Sequence, residues 1–230
     1  MNSKLFGIKI ARGSRDELLC RARSLIGAGG RIATLNPIMM SYANENTELR
    51  EALSGFELCI PDGVGVRAVL ALRGEQTAVV AGVELGELLL DGRTLSLGVV
   101  GAKEGIARRA MDNLLAKHPQ LCEAFVFDGY TFDEDTLAAA LRRTRPSLAY
   151  FCLGTPKQEL LIEKMYRHSP TTLFVGLGGS LDIYSGAVRR APRAVRALGA
   201  EWLWRTLSQP SRLARLPRIF SFMRAALREE

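Results

Sequence analysis

Histidine is almost missing from this sequence: His118 and His168 are the only two in 230 residues, which excludes a histidine-based metal centre. Cysteine is sparse as well. Cys20, Cys59, Cys122 and Cys152 are far apart and lie in apolar segments, so they are expected to be reduced core thiols in a cytosol rather than two disulfides or a zinc site. No uncharged apolar run reaches the roughly 18 residues of a membrane span, and the opening residues lack a signal-peptide core, so export is not expected. A complete nucleotide fingerprint is also lacking. Gly176-Leu177-Gly178-Gly179-Ser180-Leu181 begins like G-x-G-x-x-G but ends in leucine, and Gly101-Ala102-Lys103-Glu104-Gly105 has the wrong spacing. With no G-x-x-x-x-G-K-[ST] either, a nicotinamide oxidoreductase and a P-loop NTPase lose their main support. At 47% hydrophobic and 24% charged, the composition excludes wholesale disorder.

The charge that is present is unevenly placed. Residues 187–228 hold ten arginines, no lysine and one acid, Glu201, for a local charge of +9 in a chain of net +7. The rest is near neutral. Such asymmetry points to an anionic partner: lipid, nucleic acid or a phosphorylated substrate. Within this tail Val188, Ala191, Val195 and Leu198 share one helical face, and Arg189, Arg193 and Arg196 another. After Pro210 and Pro217, Ile219, Phe220, Met223 and Leu227 stand against Arg218, Arg224 and Arg228. A basic helix with bulky apolar residues suits a membrane interface, and packing on the body is the alternative.

Before residue 187, β-rich runs alternate with helix-length segments. Strands are expected over residues 4–10, 31–35, 58–60, 95–100, 124–128, 148–153 and 173–177, and helices include 14–27, 105–117, 133–144 and 156–168. That alternation predicts an α/β fold, a mostly parallel sheet with helices on both faces. The expected division is residues 1–186 as the α/β catalytic domain and 187–230 as a basic helical C-terminal appendage. In open α/β sheets the ligand crevice lies beyond the carboxyl ends of the strands, so the turns there are the candidates.

Asp62 follows an apolar strand, between Pro61 and Gly63. A carboxylate so placed can act as a general base, or it can simply make an Asx turn or an N-cap. Thr34 and Asn36 carry the same two readings. In Gly154-Thr155-Pro156-Lys157-Gln158-Glu159, Thr155 as N-cap and Pro156 at the first helical position account for much of the motif, and Lys157 and Gln158 are left at a helix start, able to meet a phosphate or sugar hydroxyl. Glycine turns at Gly101, Gly154 and Gly178 let a nucleotide approach backbone N–H groups, or serve close packing, and Asp182 can accept hydrogen bonds from a ribose. Asp133-Glu134-Asp135 has the D-x-D form of a metal site in sugar transferases but also opens a helix, where acids suit the dipole. No metal ligand set is assigned.

Taken together, these stretches resemble the WecG/TagA/CpsF family of bacterial glycosyltransferases. The matching residues are Thr34-Leu35-Asn36-Pro37, Ile60-Pro61-Asp62-Gly63-Val64-Gly65-Val66, Ala81-Gly82-Val83-Glu84-Leu85, Asp128-Gly129-Tyr130, Leu153 through Glu159, Gly176 through Asp182, Ser185 through Pro192 and Gly199 through Arg205. The resemblance implies a Rossmann-like enzyme that transfers a sugar of the N-acetylmannosamine type from a UDP-sugar to a sugar on a polyprenyl diphosphate, inverting and without a metal or other cofactor. It implies that Asp62 is the catalytic base, that Thr34, Asn36 and Gln158 line the substrate pocket, and that Asp182 lies near the nucleotide; Lys157 at the substrate and Gly101, Gly154 and Gly178 at the nucleotide are expected from their turns. The tail arginines, Arg212, Arg215 and Arg218 among them, are expected to complete the site and to hold the enzyme on the anionic cytoplasmic face of the membrane. Nucleic acid is not an expected partner, and a homo-oligomer is compatible with the reading. The sequence departs from the pattern twice: Val79 stands where an arginine is common, shifting its role to a cation such as Arg67 or Arg73, and Thr131 replaces an aromatic.

Overall fold

The computed structural model describes residues 2–130, 132–192, 194–195, 201, 204 and 210–229; Thr131, Arg193, Arg196, Leu198, Trp202 and the stretch 205–209 lie outside them. The chain opens with a hairpin rather than the single strand expected over residues 4–10. β1 (Asn2–Leu5) and β2 (Ile8–Ala11) pair antiparallel, with Leu5 opposite Ile8. The two residues between them, Phe6 and Gly7, both have positive φ (52° and 80°), which a two-residue turn of this hand requires. A phenylalanine at the first of these positions hid the turn from the sequence pattern.

After α1 (Arg15–Ser24), started by a capping box between Ser14 and Glu17, six strands form the main sheet: β3 (Gly30–Leu35), β4 (Leu58–Pro61), β5 (Leu95–Gly101), β6 (Leu121–Asp128), β7 (Leu148–Cys152) and β8 (Leu173–Gly176). Their order is β4-β3-β8-β7-β5-β6, and every adjacent pair is parallel. The predicted Rossmann-like α/β sheet is therefore present. β3, β4 and β7 are buried along their whole length, as parallel strands covered on both faces must be.

Strand residues alternate between two cores. Ala33, Leu35, Cys59, Ala149, Phe151 and Phe174 face α2 (Pro37–Glu45), α3 (Thr47–Gly55), α4 (Val64–Leu72), α7 (Glu134–Thr144) and α8 (Lys157–Tyr166). Ile32, Ile60, Val99, Tyr150 and Val175 face α1, α5 (Gly82–Leu90), α6 (Ile106–Lys117) and the short α9 (Ser180–Tyr184). All four cysteines are free, but only Cys59 and Cys152 are core thiols. Cys20 and Cys122 are exposed, contrary to expectation, because one lies on the outer side of α1 and the other on the edge strand β6. Asp133 caps α7, accepting from the backbone of Asp135 and Thr136 and from the Thr136 hydroxyl, so the D-x-D is built into a helix start.

Near the C-terminus a 3₁₀ turn (Pro210–Arg215) leads into α10 (Leu216–Ala226). This helix packs on α2 and α4 through Phe222 and Ala226, both fully buried. Phe222 meets Phe6 edge to face at 6.2 Å. Arg73, at the end of α4, donates to the carbonyls of Ala226 and Glu229. The buried stripe thus differs from the apolar face expected from sequence: Phe220 and Leu227 stay exposed. Phe222→Ala should cost roughly 3–5 kcal/mol in urea unfolding through the cavity it leaves, whereas Phe220→Ala should stay within about 0.5 kcal/mol.

Candidate active site

In a parallel sheet all carboxyl ends reach one edge, and the crevice forms where neighbouring chains leave toward opposite faces. Here that strand is β8. The chain leaves β3 and β7 toward the α2 and α8 face but leaves β8 toward α9 on the other face. Thr34, Asn36, Asp62, Gly154, Gln158, Gly178 and Asp182 all lie at or just beyond these ends.

The β3–β4 side holds the candidate base. Leu35 pairs with Pro61, and the Asp62 N–H donates to the Leu35 carbonyl at 2.7 Å. Asn36 and Asp62 therefore follow neighbouring strand ends, one strand spacing of about 4.8 Å apart. Asp62 is half-buried and does not cap α4, since the cap residue is Gly63. Asn36 does cap α2. Its Oδ1 accepts from the Ile38 and Met39 N–H groups at 3.0 Å each, so its amide nitrogen is the end with capacity to spare. The two helix starts approach closely: a Cβ on Gly65 would fall 2.3 Å from the Pro37 ring. Thr34, buried, donates to the Gly176 carbonyl at 3.0 Å and lies against Gly82 at the start of α5. The buried hydroxyls of Tyr150 and Tyr184 pin α5 there through the Gly86 and Val83 carbonyls.

Across β8 the residues are differently engaged. Gln158 is 1% exposed; its Oε1 accepts from the Gly178 N–H at 2.9 Å and its Nε2 donates to Glu159 at 2.7 Å. Thr155 does not cap α8 as expected. Pro156 occupies the cap position, and the Thr155 hydroxyl turns to Glu159 instead. Lys157 Nζ donates to the Tyr130 carbonyl at 3.0 Å and stands 5.9 Å over its ring. Asp182, half-buried, faces the same space: its charge, after burial, helps push the Tyr130 hydroxyl up from its ordinary value. Tyr130 and Glu159, which the sequence reading quoted without assigning a role, are thus part of this cluster. Their one signal was position, each lying in a stretch that follows a strand end.

Gly101 has φ +117°, and a Cβ there would lie 2.6 Å from the Cys152 carbonyl, so close approach of β5 to β7 already requires it. Beside it the Gly105 N–H at the start of α6 donates to Asp128, and that helix start already holds a carboxylate. Of the cations suggested in place of an arginine at Val79, Arg73 is engaged at the far end of α4, while Arg67 lies in the same helix one turn from Gly63. Of the tail arginines expected at the crevice, the two whose side chains are described lie elsewhere. Arg218 pairs with Glu45 and stacks on Tyr42 at 4.4 Å, on the last turns of α2; Arg215 is exposed at the start of α10, and the Arg212 side chain lies outside what is described. Among the described residues no three His, Cys, Asp or Glu side chains gather as a metal site.

Burial pushes the Glu159 carboxyl up to about 7, against the opposing pull of its hydrogen bonds from Thr155 and Gln158. The folded protein therefore holds a proton that the unfolded chain releases near pH 4.5. The stabilisation is complete below that pH and is lost as pH rises to about 7. Urea unfolding should show this fall, on the order of 3 kcal/mol, and Glu159→Gln should flatten it.

Comparison with known proteins identifies relatives of the chain. Over 207 residues the chain is 33% identical to the N-acetylglucosaminyldiphosphoundecaprenol N-acetyl-beta-D-mannosaminyltransferase of Bacillus spizizenii, an alignment covering 88% of this chain and 80% of that one. It is 30% identical to the Bacillus subtilis protein of the same name, with the same coverage. Residues 3–230 match the family model of the WecG/TagA/CpsF glycosyl transferases; the chain is a glycosyltransferase and belongs to that family.

Proposed function

We propose that this enzyme transfers an N-acetylmannosamine-type sugar from a UDP-sugar to a sugar carried on a polyprenyl diphosphate, by a single inverting displacement. The observation that carries the reading is the pairing of Leu35 with Pro61, which sets Asp62 beside Asn36 on one side of β8, opposite Tyr130, Lys157 and Asp182 on the other. The relatives' names supply the acceptor class, a diphosphoundecaprenol-linked N-acetylglucosamine.

In this mechanism the Asp62 carboxylate takes the proton of the acceptor hydroxyl as that oxygen attacks the anomeric carbon. The bond from that carbon to the diphosphate breaks with inversion, and UDP leaves with the electron pair. Asn36 offers its amide nitrogen to a sugar oxygen. Tyr130 gives the base a flat face, and Asp182 accepts from ribose. Negative charge growing on the diphosphate is met by fixed cations and helix starts, not by a divalent ion. Among the described residues Lys157, at the start of α8, and Arg67, one turn into α4, are cations on elements that begin at the crevice.

On this reading the enzyme works at the cytoplasmic face of a membrane, where it meets its lipid-carried acceptor. Among the described residues no helix is long and apolar enough to cross a membrane. Peripheral docking is supported by the outer face of α10, where Phe220, Arg224 and Leu227 follow at helical spacing with both apolar side chains exposed (71% and 61%).

Asp62→Asn should lower kcat by roughly 10²–10⁴-fold while UDP binding is kept, and wild-type turnover should persist in EDTA; near-normal turnover of the variant, or loss in EDTA restored by manganese, refutes the mechanism. The double variant Phe220→Ala/Leu227→Ala should keep its melting temperature and its turnover of a short-chain, water-soluble acceptor. In co-sedimentation it should bind vesicles containing anionic lipid about ten-fold more weakly.

A further inference from the structure

Glu159 is fully buried in the first turn of α8, at the floor of the crevice. A buried carboxyl is costly unless its oxygens are satisfied, and here each oxygen has a separate donor: the Thr155 hydroxyl and Gln158 Nε2. The second contact has a directional consequence. With Nε2 committed to Glu159, the other end of the carboxamide, Oε1, must face the Gly178 N–H, which it accepts at 2.9 Å. The fit is tight, since a Cβ on Gly176 would stand 2.5 Å from Gln158 Nε2. Gly178 belongs to the turn that launches α9 and so carries Asp182. Gly176, the last residue of β8 before that turn, accepts from Thr34. One chain of contacts thus runs from Thr155 through Glu159 and Gln158 to the turn after β8.

We propose that Glu159 is a positioning residue: acting through Gln158, it holds the turn after β8, and with it the nucleotide half of the crevice, in its binding shape. It is not a catalytic residue, because it is sealed from solvent beneath Gln158. The role demands an acceptor at this position rather than a charge. A glutamine at 159 supplies that acceptor to Gln158 and a donor to Thr155, whose hydroxyl can accept in place of donating. A leucine fills the space and supplies neither. The choice of UDP as probe rests on the function proposed above; the geometry does not.

Hydrogen exchange in the ligand-free enzyme tests the geometry directly. In Glu159→Leu the Gly178 amide should exchange about ten-fold faster, with the change confined to the turn and the start of α9. UDP affinity and donor KM should weaken by a similar factor, with kcat at saturating donor within about threefold of wild type. Glu159→Gln should restore both readouts. In a Gln158→Leu background, Glu159→Leu should add nothing further to exchange at Gly178. Unchanged exchange at Gly178 in Glu159→Leu, a full additional effect in the Gln158→Leu background, or a Glu159→Gln variant as impaired as the leucine would each overturn the proposal. Should Glu159→Leu fail to fold, Thr155→Val removes one of the two donors and must speed the same exchange, and a wild-type rate there counts against the proposal. A wild-type enzyme that does not bind UDP refutes the proposed donor instead, and the exchange measurements still decide the role of Glu159.

Discussion

The crevice depends on the parallel pairing of β8 between β3 and β7. Parallel strands send all their carboxyl ends to one edge, and β8 is where the outgoing chain changes face between two neighbours that do not. Thr34, Asn36, Asp62, Gln158 and Asp182 are far apart in sequence, yet each follows a strand whose register is fixed by pairs such as Leu35 with Pro61 and Ala33 with Gly176. A slip of one residue in β3 would turn Thr34 from the α5 side to the α2 side and move its hydroxyl away from Gly176. At the opposite, amino end of β3, Arg31 is held by Glu57 and Glu163 and stacked 4.4 Å over Tyr166, which guards that register from the closed side.

The crevice floor is polar but largely spoken for. Gln158 and Thr34 do not present loose groups to a ligand: Thr34 fastens β3 to β8, and Gln158 fastens α8 to the turn that follows β8. Their contribution to recognition is shape. On the proposed function the groups that meet substrate stand at the rim: Asp62, the Asn36 amide nitrogen, the Tyr130 ring, Lys157 and Asp182. Division of this kind suits a reaction whose demands are positioning and electrostatics, because donors and acceptors already fixed by the fold need not reorganise when charge moves to the leaving group.

Much of this was legible in the sequence for a simple reason: a strand buried on both faces followed by a polar or glycine turn leaves few other readings, and the turns at Asn36, Asp62, Gly154 and Gly178 all fell where strand ends were expected. What stayed hidden depended on partners distant in the chain. Nothing local says that Thr155 prefers Glu159 to the helix end it precedes, or that Glu159 is buried at all. At Gly101 the sequence left a phosphate turn and close packing both open, because the carbonyl of Cys152, fifty-one residues later, is invisible from its own segment. In α10 the sequence showed the apolar face of Phe220 and Leu227 but not the second one, since burial of Phe222 depends on Phe6 at the other end of the chain.

That choice of face bears on how a folded glycosyltransferase reaches a lipid. Phe220 and Phe222 are two residues apart on a helix, hence about 200° apart around it, so one can be fully buried while the other points away from the body. Burying Phe222 anchors the helix, and its outer face becomes a rigid surface rather than a tethered one. The contacts of Arg218 with α2 fall on Tyr42 and Glu45, about 9 and 13 Å along the helix axis from Asn36. On the proposed function, a membrane touching Phe220 and Leu227 would meet a face held fixed against α2, the helix that Asn36 caps. The lipid could stay in the bilayer while the acceptor hydroxyl reached Asp62.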